Sequence, residues 1–331
     1  MNFAYYPGCS AMGSSKDYER STQAVCRALD MNLVAIPDWN CCGSTPAHAV
    51  NIELSAALCV RNLDIAAREQ AEILLTPCPS CLSNLKMAVR RMENPEFRSR
   101  VNELLDSPAS EQWPPVTSVM QGIARHFDMS AIKSRVRISL KGLKLAAYYG
   151  CLMSRPAELM QFEDPENPML MENMLSACGA ELVDFPLKTT CCGAAFGITE
   201  RPLTARNSGR ILELAATLGV DAIVVACPLC QMNLDLRQKQ AGRAGETSYN
   251  IPVLYFTQLL GLAFDLPRKD LALNKLTVSA DRLLEKLTGL RRKDESTSTK
   301  LERGRARPGF FQANLFHQAE FQGEHNRFLR P

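Results

Sequence analysis

The sequence predicts an α/β protein of two pseudo-symmetric lobes. Each lobe is a small, mostly parallel sheet flanked by helices, and a C-terminal extension follows. Three observations carry this: an internal repeat, an alternation of short apolar runs with helical periodicity, and cysteine groups just after the apolar runs. The repeat comes first. Residues 5–9 read YYPGC, 40–43 NCCG and 76–85 TPCPSCLSNL; residues 148–151 read YYGC, 190–193 TCCG and 225–234 VACPLCQMNL. The spacings agree as well. Cys9 to Cys41 is 32 positions against 40 from Cys151 to Cys191, and Cys42 to Cys78 is 36 against 35 from Cys192 to Cys227. Two copies of such a pattern mean duplicated lobes rather than a solenoid.

The alternation gives the class. In the first half FAYY, NLVAIP and EILLT read as strands. Residues 18–30, 51–69 and 81–92 carry apolar positions at helical spacing. In the second half LKLAAYY, AELVDF and DAIVVA are strands, and residues 166–178 and 202–219 are helices, the latter closed by Gly219. Strands alternating with helices imply parallel sheets covered by helices. Every cysteine group then leaves the carboxyl end of a strand, the binding edge of such sheets. The helices that follow aim their N-termini at the same edge, which favours thiolates. We place the first lobe at 1–92, a linker or insertion with a helix near 116–127 at 93–141, the second lobe at 142–266 and the extension at 267–331. The extension turns basic and Ser/Thr-rich after Lys286 and reads as poorly ordered or partner-docking. Its GFFQANLF run at 309–316 is apolar enough to dock.

Composition narrows the function. A net charge of +3 in 331 residues argues against nucleic acid. No run approaches the roughly 18 apolar residues of a transmembrane segment. The N-terminus lacks a basic n-region and an apolar h-region, so the expected compartment is the cytoplasm, where disulfides are disfavoured. The 13 cysteines must then serve metal chemistry or packing. Cys26, Cys59 and Cys178 lie outside the repeat and read as small buried hydrophobes. The other ten divide into Cys9, Cys41, Cys42, Cys78, Cys81 and Cys151, Cys191, Cys192, Cys227, Cys230. A structural zinc takes four ligands, commonly from two Cys-x-x-Cys pairs. Five thiols with an adjacent Cys-Cys suit a multinuclear iron–sulfur cluster better, although thiolate sites also select zinc. The bacterial ferredoxin spacing is absent.

Lone Cys, Cys-Cys-Gly and Cys-Pro-x-Cys, twice over, resemble the B subunit of heterodisulfide reductase, the tandem cysteine-rich CCG domain. YYPGCS, DWNCCG and TPCPSC are similar to its bacterial, heterodisulfide-reductase-like members. The resemblance covers about residues 1–265 and implies two noncubane 4Fe–4S clusters, one on each cysteine set. It implies a disulfide or carrier-bound sulfur species made or broken between the clusters. It also implies two partner subunits, one ferredoxin-like and one flavin-containing, with any membrane association peripheral and through them. Related CCG subunits of glycolate or lactate oxidation and of succinate:quinone reductases offer an alternative, an electron relay between a flavoprotein and quinone. A zinc scaffold is the non-enzymatic alternative.

Outside the cysteines, His48 is a candidate for protonating a leaving thiolate, against a capping or surface role. Arg61-Asn62 and Arg206-Asn207 are candidates for hydrogen bonds to cluster sulfur or for helix packing. Pro79 and Pro228 read as rigid turn residues, and 253–264 as a core or interface helix.

Overall fold

The computed structural model describes residues 1–44, 46–244 and 247–289. It holds two four-stranded sheets. The first runs β2-β1-β3-β4, with β1 Asn2–Tyr5, β2 Asn32–Ala35, β3 Leu74–Thr76 and β4 Val116–Ser118. The second runs β6-β5-β7-β8, with β5 Lys144–Tyr148, β6 Glu181–Leu182, β7 Ala222–Val225 and β8 Val253–Tyr255. Every pairing is parallel, so the sheets are wholly rather than mostly parallel. Of the four inner strands β1, β3, β5 and β7, β3 and β7 are buried at every residue, as expected of parallel strands covered on both faces.

The principal helices are α1 Lys16–Ala28, α2 Ile52–Arg68, α3 Pro79–Arg91, α4 Val119–His126, α5 Leu170–Ala177, α6 Arg201–Thr217, α7 Pro228–Leu236 and α8 Phe256–Ala263. Pro79 and Pro228 each open a helix directly after Cys78 and Cys227. They are first-turn prolines, whose missing N–H has no helical partner to lose. At β4 and β8 the structure departs from the sequence reading. Residues 116–118 extend the first sheet before α4, and 253–255 extend the second before α8. Three residues are too few for a period-two pattern to declare itself.

Helix α1 of the first lobe packs against α8 of the second, and α5 of the second against the short helix Met129–Ser134. One apolar core therefore runs through both lobes, from Tyr5 and Val25 to Leu259 and Leu283. A second core, including Val60, Leu63, Leu82 and Leu85, fills the other face of the first sheet. Of the extension, Leu271, Leu283 and Leu287 are buried in the through-running core. Residues 290–331, with the 309–316 run, lie outside the described residues.

Candidate iron–sulfur site

Each lobe brings its five cysteines to the carboxyl edge of its sheet. In the first, Cys9 follows β1, Cys41 and Cys42 follow β2, and Cys78 and Cys81 follow β3 at the start of α3. The Sγ atoms of Cys41 and Cys9 lie 3.8 Å apart, and those of Cys42 and Cys81 3.4 Å apart. Cys78 hydrogen-bonds Cys81. In the second lobe Cys192 and Cys230 lie 3.6 Å apart, Cys151 hydrogen-bonds Cys191, and Cys227 neighbours Cys230. All ten are free thiols. Burial is graded: Cys42, Cys78, Cys81, Cys192, Cys227 and Cys230 are buried, Cys151 and Cys191 partly so, and Cys9 and Cys41 exposed.

The glycines of the repeat make room for sulfur. Gly8 and Gly150 have φ of +73° and +71°, and a Cβ on them would lie 3.0 Å from Cys81 Sγ and 2.8 Å from Cys230 Sγ. Gly43 and Gly193, at φ +72° and +80°, turn the chain after the cysteine pairs. Their N–H groups donate to Cys41 Sγ at 3.5 Å and Cys191 Sγ at 3.3 Å.

A matched set of buried polar groups, which the sequence reading did not assign, fixes the adjacent cysteines. Asn84 Nδ2 donates to the Cys42 carbonyl at 2.5 Å, and Asn233 Nδ2 to the Cys192 carbonyl at 2.7 Å. Both asparagines are the Asn of Cys-Pro-x-Cys-x-x-Asn-Leu, so the repeat itself carried the signal. The same carbonyls accept from Cys59 Sγ and Ser208 Oγ, each at 3.2 Å. Cys59 is thus more than filler. It and Ser208 occupy equivalent places, which sets the register of α2 against α6. In that register Arg61 matches Arg210, and the Arg-Asn pairs at 61–62 and 206–207 are not equivalent. Neither Arg61 nor Asn62 donates to sulfur. Arg61 Nη1 donates to the Asp38 carbonyl at 2.6 Å and to Asn40 Oδ1 at 3.0 Å, and Asn62 brackets the Asn40 backbone. The strand-end tyrosines act alike: Tyr6 donates to the Asn40 carbonyl at 2.8 Å, and Tyr148 to the Thr190 carbonyl at 2.5 Å. Each pins the residue before a cysteine pair. His48 is exposed on the short helix Pro46–Val50.

The second lobe adds a buried ion pair. Lys188 Nζ meets Glu172 Oε1 at 2.9 Å, both side chains 7% exposed, and Tyr149 donates to Glu172. The Lys188 carbonyl accepts from Tyr149 and Gly150, which ties this network to the Cys151 turn.

Packed thiols cannot all ionise together, and the acidities divide accordingly. Hydrogen bonds from Cys41 and Cys81 lower the Cys42 thiol, while Cys41 and Cys81 are raised. A hydrogen bond from Cys151 brings Cys191 down to about 6, while burial raises Cys178 to about 12. In metal-free protein, alkylation of half-exposed Cys191 should therefore climb as pH rises through about 6, where its thiolate forms, and Cys178 should stay inert at neutral pH. Peptide mapping after iodoacetamide treatment across pH 5–8 reads this out, and a Cys191 profile centred near an ordinary thiol value, about 8.5, would contradict it.

Among the described residues no three or more Cys, His, Asp or Glu side chains are gathered to hold a single metal ion. The thiols lie instead in linked runs, Cys42–Cys81–Cys78 and Cys192–Cys230–Cys227, hemmed by glycines. Such a donor set fits a group of several metals, whose positive charge would let neighbouring thiols ionise together.

Residues 3–86 and 145–235 match the family model described as CCG, cysteine-rich domain. The chain belongs to the CCG cysteine-rich family. A relative in Wolinella succinogenes, named 8-methylmenaquinol:fumarate reductase membrane anchor subunit, is 31% identical over 85% of this chain and 98% of its own length. A Methanosarcina acetivorans relative, named as the B subunit of a ferredoxin/F(420)H(2)-dependent CoB-CoM heterodisulfide reductase, is 30% identical over 85% of this chain and 95% of its own. The CCG chain is thus homologous to the B subunits of heterodisulfide reductases. A hypothetical protein from Helicobacter pylori shares the fold, with a TM-score of 0.66 at 12% identity over 84% of this chain and 52% of that one. The CCG chain therefore spans about half the length of that solved structure.

Proposed function

We propose that this chain is the catalytic iron–sulfur subunit of a heterodisulfide-reductase-like complex. In this reading Cys9, Cys41, Cys42, Cys78 and Cys81 hold one noncubane 4Fe–4S cluster, and Cys151, Cys191, Cys192, Cys227 and Cys230 hold the other. A disulfide, or a carrier-bound sulfur species, is made or broken between them. The observation that carries the reading is the pair of five-thiol nests at matching sheet edges, each with touching Sγ atoms. Bound clusters would supply one-electron steps and Lewis-acidic iron for sulfur. The chain's residues do the holding: Asn84 and Asn233 fix the paired cysteines, Tyr6 and Tyr148 fix the loops before them, and exposed Cys9 and Cys41 form the open edge. His48, whose backbone N–H donates to the Gly43 carbonyl after the cysteine pair, is the candidate proton donor on an exposed helix. Electrons would pass to or from two partner subunits, one ferredoxin-like and one flavin-containing.

A second reading is an electron relay in a flavin dehydrogenase or succinate:quinone reductase type complex. The 31% identity to the fumarate reductase subunit of Wolinella succinogenes, over 98% of that subunit's length, favours it. Among the described residues no helix is long and apolar enough to cross a membrane, so such a subunit would meet its quinone through partners or a surface. Anaerobic purification with iron and sulfide quantification, then EPR during thiol and disulfide titration, separates the readings. A paramagnetic signal that depends on added thiol is expected from catalysis at the clusters. Clusters without such a signal would favour the relay, and zinc without iron or sulfide would defeat both.

A further inference from the structure

Tyr18 stands on first-lobe helix α1, is 2% exposed, and donates its phenol hydrogen to the Ala226 carbonyl of the second lobe at 3.2 Å. Ala226 is the residue before Cys227. The Tyr18 ring stacks on Tyr255 at the end of β8, with centroids 4.0 Å apart and planes 3° from parallel. Next to the stack, Ser21 Oγ meets Thr257 Oγ1 at 2.7 Å, which locks α1 onto α8. Cys227 and Cys78, one from each nest, both bear on the Tyr18 phenol electrostatically. Tyr18 thus reaches from the first lobe to the backbone directly before Cys227 of the second set.

Among the described residues the pseudo-symmetry shows no second copy of this device. Tyr255 N–H donates to Gln258 Oε1 at 2.9 Å, as Ser118 N–H donates to Gln121 Oε1 at 3.3 Å, so Ser118 is the first-lobe counterpart of Tyr255. A serine offers no ring to stack on. We propose that Tyr18 is a positioning residue for the second nest: through the Ala226 carbonyl it sets the peptide that aims Cys227, so the second site is completed from the first lobe and differs in redox properties from the first. This rests on the iron–sulfur reading above. The physical reason is local. The Ala226 carbonyl is fully buried, and without the phenol that peptide loses a partner that fixes its plane. A thiolate ligand one residue away turns with that plane, and hydrogen bonding around ligating sulfur tunes cluster potentials.

The test uses the full chain, reconstituted anaerobically, in two backgrounds. Cys42→Ala leaves the second site for observation, and Cys192→Ala leaves the first. Tyr18→Phe keeps the stack and removes only the hydroxyl. It should retain iron and the thermal melt while shifting the EPR g-values and midpoint potential of the second site, with the first site unmoved. Tyr18→Leu, which also removes the stack, should lower iron at the second site by more than at the first. Iron loss confined to the second site in Tyr18→Phe would support the proposal as well. Unchanged spectra, equal shifts at both sites, or equal iron loss from both would overturn it while leaving the iron–sulfur reading intact. A wild-type chain without iron would overturn both.

Discussion

Alanine at Cys42 is expected to remove about one half of the bound iron and sulfide and to leave the other half in place; alanine at Cys192 should do the same from the opposite lobe. The two cysteines are the inner members of their adjacent pairs. Each is buried, and each touches a Cys-Pro-x-Cys sulfur, Cys81 at 3.4 Å or Cys230 at 3.6 Å. Cys42 is lowered in pKa by hydrogen bonds with Cys41 and Cys81, and Cys192 by one with Cys230, which favours the metal-binding thiolate in each. The fold should tolerate the change. The carbonyls of Cys42 and Cys192 keep their bonds from Asn84 and Cys59, or Asn233 and Ser208, because those bonds end on backbone. The loss of one buried heavy atom costs on the order of 1 kcal/mol, comparable to one methylene. Iron and acid-labile sulfide per chain, read beside the circular dichroism melt, check the prediction. Loss of both halves of the iron from either substitution would mean that the nests do not load separately.

The cysteine sets were legible in the sequence because binding several metals constrains residue type and spacing far more than packing does. Any core position accepts several hydrophobes, whereas a thiol has no substitute. The sheets were legible for a related reason: β3 and β7 are continuous apolar runs bounded by cysteine turns. What stayed hidden depends on distance in sequence. Nothing in AVCRAL or its surroundings tells that Tyr18, 208 positions before Ala226, reaches that carbonyl. The short strands β4 and β8 lacked the length to show a period, and 93–141 read as linker for that reason. The Arg-Asn dipeptides at 61–62 and 206–207 are not equivalent positions, because two letters recur by chance. Only the shared carbonyl bonds of Cys59 and Ser208 reveal the true register of α2 and α6.

Interlobe packing also bears on how the halves depend on each other. Helix α1 rises from the first lobe but lines the core of the second, and α5 returns the exchange through the helix at 129–134. Such reciprocal docking should couple the unfolding of the two lobes even if metal loading is separate for each nest. A substitution in one nest should thus register in iron content before it registers in the melt.

Gly150→Ala is expected to empty the second nest, while Gly219→Ala should leave both loaded. The pair isolates one physical cause. Both glycines lie in the left-handed region, at φ +71° and +62°, so alanine meets similar backbone strain at each, about 1–2 kcal/mol. Their surroundings differ. A Cβ at Gly219 meets nothing within 4 Å, whereas one at Gly150 would sit 2.8 Å from Cys230 Sγ, closer than carbon and sulfur can approach. Cys230 cannot simply retreat, because it is buried in the first turn of α7 and Cys192 stands 3.6 Å away. Either the Cys151 turn moves out or Cys230 swings away, and both break the set of five. Gly8→Ala should act in the same direction but more mildly, since its Cβ would lie 3.0 Å from Cys81 Sγ. Iron per chain, with EPR to show which site is lost, gives the comparison. If Gly150→Ala and Gly219→Ala bound equal iron, the close approach of backbone to sulfur would not be what shapes the nest.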